Sequence, residues 1–177
     1  MIIEMQENII QDDNIILRKM QKEDLDFLMT EQGRKENSEY VPKQSKENHL
    51  EAIDDSDFLY LMIEAVNDLR PLGYVILSGL KSSNNSIYLR QIVITEKRKG
   101  YGRTALRLIE NFIFNNLKAH KLHFEIWTYN FGAIKLSRSE DFFEEGIIRD
   151  CAVKDHRYLS YIVMSMLEDE YYAQDRR

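Results

Sequence analysis

Four cationic residues, Lys97, Arg98, Lys99 and Arg103, fall close together around Gly100 and Gly102, with only Glu96 opposing them. The chain as a whole carries a formal net charge of -6, so this basic turn stands out against an acidic background. Two glycines at this spacing let the backbone turn sharply with no side chain covering its N–H groups. A helical pattern follows at once. The first N–H groups of a helix have no partner within it, and its dipole places partial positive charge there. Such a turn is suited to an anion, and a phosphate fits best. A solvated turn that happens to be basic is the alternative reading of the same residues.

Other chemistries find less support. There is no GxxxxGK[ST] stretch, no HExxH, no paired-cysteine zinc spacing and no calcium-loop pattern. His49, His120, His123 and His156 are not spaced as metal ligands, and no metal is expected. "GYGRTA", Gly100–Ala105, matches the dinucleotide fingerprint GxGxxA, and Glu125 lies roughly 20 residues on, as that fold requires. Its context is wrong, because the strand before it comes late in the chain and Glu125 sits inside a strand rather than beyond one.

The elements that must position the basic turn can be read from periodicity. "YLRQIVI", Tyr88–Ile94, reads as an internal strand covered on both faces, since Val93 interrupts the alternation of Ile87, Leu89, Ile92 and Ile94. The helix after the turn runs from about Arg103 to Leu117, with Ala105, Leu108, Ile109, Phe112 and Ile113 on one face. Upstream, Asn14–Arg18 reads as a strand, Leu25–Met29 as a short helix, and the segment holding Gly33, Asn37, Ser38 and Pro42 as a loop. Ser45 followed by Asn48 caps a helix running to about Ile53. Phe58–Val66 and Leu72–Leu80 form an antiparallel hairpin that continues into the Tyr88 strand as a meander. Downstream come the strand Lys121–Tyr129, a short helix Phe131–Arg138, two strands in "FFEEGIIRDCAV" and "RYLSYIVMSML", and a polar tail at about 168–177 expected to fray.

At 177 residues, 44% of them hydrophobic and 31% charged, the chain is expected to form one globular domain. Its acidity argues against nucleic acid as the main partner and is compatible with a cationic or amine substrate. Cys151 is the single cysteine, which suits a reducing cytoplasm. The amino-terminal stretch lacks a basic segment leading into an apolar run, so it is not expected to be a signal peptide, and no segment is long and apolar enough to suggest a membrane partner.

With these segments in order, the chain resembles the GNAT N-acetyltransferase superfamily, in the branch holding ribosomal-protein N-terminal and polyamine acetyltransferases. "KRKGYG", Lys97–Gly102, is similar to the family's Gln/Arg-x-x-Gly-x-Gly/Ala motif, with Lys in the leading position. "NFGAI", Asn130–Ile134, resembles its Asn-x-x-Ala segment, and "FFEEGIIRD" and "YIVMSML" resemble the strands that follow. The resemblance implies a single-domain α/β (α+β) fold: a mixed, mostly antiparallel sheet of six to seven strands, splayed at its centre and flanked by helices. It implies acetyl-CoA as cofactor and transfer of an acetyl group to a primary amine. The acceptor would be a peptide or protein amino terminus, a polyamine or a small amine. An acyl-CoA-binding module without turnover is the alternative. Dimers are common among relatives, so a homodimer is one assembly the resemblance allows.

The resemblance also assigns roles. Backbone groups of Ile92 and Ile94 would hold the pantetheine arm, with Ile94 contributing to an oxyanion site. N–H groups across Arg98, Lys99, Gly100, Tyr101, Gly102 and Arg103 would cradle the pyrophosphate, with Thr104 opening the helix. Lys97 would keep positive charge near the phosphates without the planar fork of arginine. Asn130 would bond the pantetheine, or serve only as a strand-ending turn residue. The family's usual tyrosine acid is replaced by Ser137, which leaves Ser137, Tyr129 or water to protonate the leaving thiolate. Glu64, Glu125 and Glu39 are the candidate bases for the amine, or else are structural.

Overall fold

A computed structural model describes residues 8–174. Its centre is an eight-stranded sheet in the order β1-β2-β3-β4-β5-β6-β8-β7. The strands are β1 (Asn8–Gln11), β2 (Ile15–Lys19), β3 (Phe58–Ala65), β4 (Pro71–Ser78), β5 (Ser86–Ile94), β6 (Lys121–Trp127), β7 (Phe143–Lys154) and β8 (Arg157–Leu167). Every neighbouring pair is antiparallel except β5 and β6, which run parallel. The sheet is thus mixed, open and flanked by helices, as expected. The strand beyond the expected six or seven is β1, a short segment with too little alternation to stand out before the Asp12–Asp13 turn.

Both sheet faces are covered around β3, which explains its unbroken apolar run. Leu59, Leu61 and Ile63 pack into one cluster with Ala105, Leu108 and Ile109 from α4 (Tyr101–Asn111), Ile113 from the turn that follows it, and Ile134 from α5 (Phe131–Ser139). Tyr60 and Met62 point the other way, to Leu25 and Leu28 of α1 (Leu25–Gly33) and to Leu50 and Ile53 of α3 (Lys46–Asp54). Between α1 and α3, Lys35–Ser38 forms the short helix α2 within the segment expected to be a loop. Ser45 caps α3 by accepting from Asn48 N at 3.2 Å, as the sequence suggested.

The irregular alternation in β5 has a structural cause. Its register with β4 shifts between the pairs Ile76↔Gln91 and Leu77↔Leu89, leaving Arg90 as an extra residue. This bulge resets the phase of the strand. Ile87 and Leu89 before it, and Ile92 and Ile94 after it, all pack toward the α4 face, while Val93 faces α1 and α3.

The α4 helix passes into a π-helical turn at Phe112–Asn116, so the long helix of the sequence reading is two kinds of helix end to end. The carboxy-terminal segment is more ordered than expected: α6 (Glu168–Ala173) buries Tyr171, whose ring stacks on Phe114 at 4.6 Å. The remainder of the expected tail, 175–177, and the amino-terminal residues 1–7 lie outside the described residues. No helix among the described residues is long and apolar enough to cross a membrane.

Candidate acetyl-transfer site

The parallel pair β5 and β6 is in register only at Ser86↔Lys121, Ile87↔Leu122 and Tyr88↔His123. Beyond Tyr88 the two strands part, and a cleft opens between them. On the α5 side it is lined by Leu106, Phe124, Ile126, Asn130, Ala133 and Ser137. Toward the opposite face it is lined by Tyr40, Val41, Pro42, Tyr88, Arg90, Gln91, Glu125, Trp127 and Tyr161. Thr95 N donates to Leu72 O on the β4 side at 2.8 Å. Successive N–H groups of a strand alternate between its edges, so those of Ile94 and Ile92 turn toward the gap.

Beside the cleft, where Gly102 lies against Ile94 and Leu136, the basic turn places Arg98 (φ 64°) and Gly100 (φ 86°) in the left-handed region. The Arg103 and Thr104 amides both donate to Gly100 O, at 3.0 and 3.1 Å. Both close the first turn of α4, so Thr104 opens the helix as expected, while the Arg103 amide, contrary to the sequence reading, is not available to a phosphate. From Arg98 to Gly102 the amides have no acceptor among the described residues.

The cationic side chains divide. Lys97 Nζ donates to Asn37 Oδ1 at 2.9 Å, so its ammonium braces α2. Burial there lowers its pKa from the ordinary lysine value, partly offset by Glu36 and Glu31. Lys99 pairs with Glu96 at 2.5 Å. Arg103 bonds Ser139 Oγ at 2.9 Å and Glu140 at 3.0 Å, tying α4 to the end of α5. Arg98 has no ion pair among the described residues and is the free cation at the turn. Tyr101 turns its ring into the core and offers its amide.

Asn130 ends the strand-to-helix turn as a cap. Its Oδ1 caps α5 by accepting from Ala133 N at 3.2 Å, and the residue lines the cleft, leaving its Nδ2 as a donor. Ser137 is buried in the cleft wall, but its hydroxyl donates to Ala133 O at 2.9 Å. The proton a general acid would deliver is already shared within the helix.

Two catalytic candidates are corrected. Glu64 does not line the cleft. Its Oε1 accepts from Arg18 Nε at 3.0 Å and Nη2 at 2.8 Å, and Arg18 also pairs with Asp24, so Glu64 belongs to an ion network joining β2 and β3. Tyr129 does not line the cleft either. It donates to Glu39 O at 3.0 Å, and burial, reinforced by Glu39 and Tyr40, raises its pKa above the ordinary phenol. Glu39 stands with Tyr129 in an outer vestibule formed where the β7–β8 hairpin meets α2.

Among the described residues, Glu125 is the one carboxylate lining the cleft. Tyr88 Oη lies 3.4 Å from its Oε2, and burial together with the Glu125 charge keeps that phenol protonated. Sequence reasoning missed Tyr88, Trp127 and Tyr161. The Trp127 indole stacks on Tyr161 at 3.8 Å and on Tyr129 at 6.0 Å, forming an aromatic wall from the cleft to the vestibule. Glu125 and Trp127 alternate with buried Phe124 and Ile126, a period-2 signal that could have placed both on one face.

The free amides, the unpaired Arg98 and the gap beside β5 suit a diphosphate with an extended arm. The comparisons agree. At the level of sequence, the chain is 22% identical over 166 residues to an uncharacterized N-acetyltransferase derived from the SPbeta prophage of Bacillus subtilis, YokL, covering 90% of this chain and 93% of that protein. Among solved structures it is similar to the Vibrio cholerae spermidine N-acetyltransferase in complex with CoA and spermine, with a TM-score of 0.82 and 23% identity, covering 91% of this chain and 99% of that one. A chimera of that enzyme with hSSAT is equally similar, at TM-score 0.82 and 23% identity over 90% of this chain and 99% of the other. Residues 14–142 match the acetyltransferase (GNAT) domain profile, and the chain belongs to the GNAT acetyltransferase family, with acetyl-CoA as its cofactor.

Proposed function

We propose that the cleft carries out transfer of an acetyl group to a primary amine by direct attack in a ternary complex. The observation that carries this reading is one cleft with Glu125 in its wall and the Arg98–Gly102 amides beside it, where Gly102 lies against Ile94 and the cleft-lining Leu136. Acetyl-CoA supplies the activated acyl carbon and a thiolate leaving group. The amides from Arg98 to Gly102 would hold the pyrophosphate, assisted by the α4 dipole and Arg98. Ile92 and the Asn130 Nδ2 hold the arm along the β5 edge. These contacts contribute positioning.

The chain's own acid–base chemistry then follows. An ammonium has no lone pair, so Glu125 accepts a proton from the incoming amine, with the Tyr88 hydroxyl orienting it. The Ile94 N–H, turned into the gap, donates to the oxygen that gains charge as the amine attacks. The Ser137 proton is engaged within its helix, so the proton that the leaving sulfur takes up would come from solvent.

That engagement also favours a second reading, an acyl-CoA-binding module without turnover. Release of free CoA from acetyl-CoA, measured with polyamines, peptide amino termini and small amines, separates the two. Amine-dependent release establishes the transferase. Tight CoA binding with no release from any amine establishes the binding module.

A further inference from the structure

Gln91 is 7% exposed and stands on β5 directly after the Arg90 bulge. The bulge turns it toward the α1 and α3 face, where the orientation of its amide is set by a chain of hydrogen bonds anchored on the backbone. Gln44 N can only donate, and it donates to Gln32 Oε1 at 3.4 Å. Gln32 Nε2 is therefore the donor end, 3.2 Å from Gln91 Oε1 and 3.1 Å from His49 Nε2. The Tyr74 hydroxyl donates to the same Gln91 Oε1 at 3.0 Å. Both contacts hold the carbonyl end of Gln91 in the buried network. Its Nε2 has no partner among the described residues, on a side chain that lines the cleft.

Charge on the substrate side points the same way. Glu125 is balanced by Arg90 in the cleft wall. The vestibule that shares Tyr40, Trp127 and Tyr161 with the cleft is lined by Lys35, Lys43, Lys154 and Arg157 against Glu39 and Asp155. None of these six forms an ion pair among the described residues. A polycation would enter against a cationic excess and meet a fixed donor.

Resting on the acetyl-transfer reading, we propose that Gln91 is a specificity-determining residue whose Nε2 donates to an oxygen on the acceptor, so that the substrate is an amine bearing a carbonyl or carboxylate oxygen rather than a polyamine. A donor held in one orientation in the cleft wall discriminates because an amine lacking that oxygen forgoes the hydrogen bond that the other class makes. Lys35, Lys43, Lys154 and Arg157 favour acceptors that carry negative charge.

The test compares kcat/KM by CoA release for alanine, alaninamide and an acidic peptide with a free amino terminus against putrescine and spermidine. These arms separate a free carboxylate, a carbonyl and a longer chain. The expected result is a preference of at least about tenfold for an oxygen-bearing amine. Gln91→Leu should bring the two classes within about threefold, and Gln91→Glu, of the same shape but presenting an acceptor, should reverse the order. Preference for spermidine in the unaltered protein, or a ratio that survives both substitutions, overturns the proposal. A binding measurement keeps it separate from turnover. With CoA present, the Gln91 side-chain amide resonance, identified by its loss in Gln91→Glu, should shift with alaninamide and not with putrescine. No shift overturns the proposal even where acetyl transfer proceeds. A shift without CoA release supports it and removes the transferase reading instead.

Discussion

Ser137 Oγ donates to Ala133 O at 2.9 Å, one turn earlier in α5. The side chain in the family's tyrosine position therefore serves its own helix. Ser137→Ala should change kcat by less than about threefold, whereas loss of a working general acid lowers it by about a hundredfold or more. Steady-state CoA release at saturating acetyl-CoA reads the difference.

Glu125 and Glu64 make opposite predictions from the same substitution. Glu125→Gln removes the cleft's carboxylate and should lower kcat by about a hundredfold, with acetyl-CoA affinity unchanged. Glu64→Gln should leave kcat within about twofold but destabilise the fold by about 2 kcal/mol, because Arg18 loses a charged partner. Kinetics and urea unfolding on both variants check the assignment.

Gly100 sits at φ 86° with open space around the position a Cβ would take. The obstacle to substitution is thus conformational, not steric, and Gly100→Ala should cost about 1 kcal/mol. Gly100→Glu adds negative charge beside the free amides and should weaken acetyl-CoA binding by at least about tenfold. Calorimetric titration of the folded variants distinguishes strain from charge.

His49 is fully buried between Gln32 and Tyr60, and burial lowers its pKa from the ordinary 6.5. The unfolded chain therefore binds a proton that the folded chain resists. The stability contributed by neutral His49 is complete above about pH 6.5 and is lost as pH falls through its lower folded value. Tm measured from about pH 7 to about pH 5 should decline, and more shallowly in His49→Gln.

Local rules carried the reading a long way. The glycine turn before α4, the Ser45 cap and the Asn130 turn each depend on residues a few positions apart, so the sequence exposes them. The resemblance named the family that the profile over residues 14–142 matches. Partnerships across the sheet were hidden. Arg18 and Glu64 are distant in sequence, as are Lys97 and Asn37, and no periodicity marks either pair. Trp127 and Tyr161 meet only because β8 inserts between β6 and β7. The Arg90 bulge left a trace as the broken alternation at Val93, but a bulge and a strand covered on both faces produce the same irregularity.

The short pairing between β5 and β6 has a mechanical consequence. Only Ser86, Ile87 and Tyr88 stitch the two halves of the sheet together strand to strand. A molecule lodged along the unzipped edge becomes a rung of the ladder, so occupancy is itself a fold-stabilising tie. Saturating the protein with CoA at about a hundred times its Kd should add about 2.7 kcal/mol. The added protection from hydrogen exchange should concentrate along that seam, at the amides of Ile92 and Ile94.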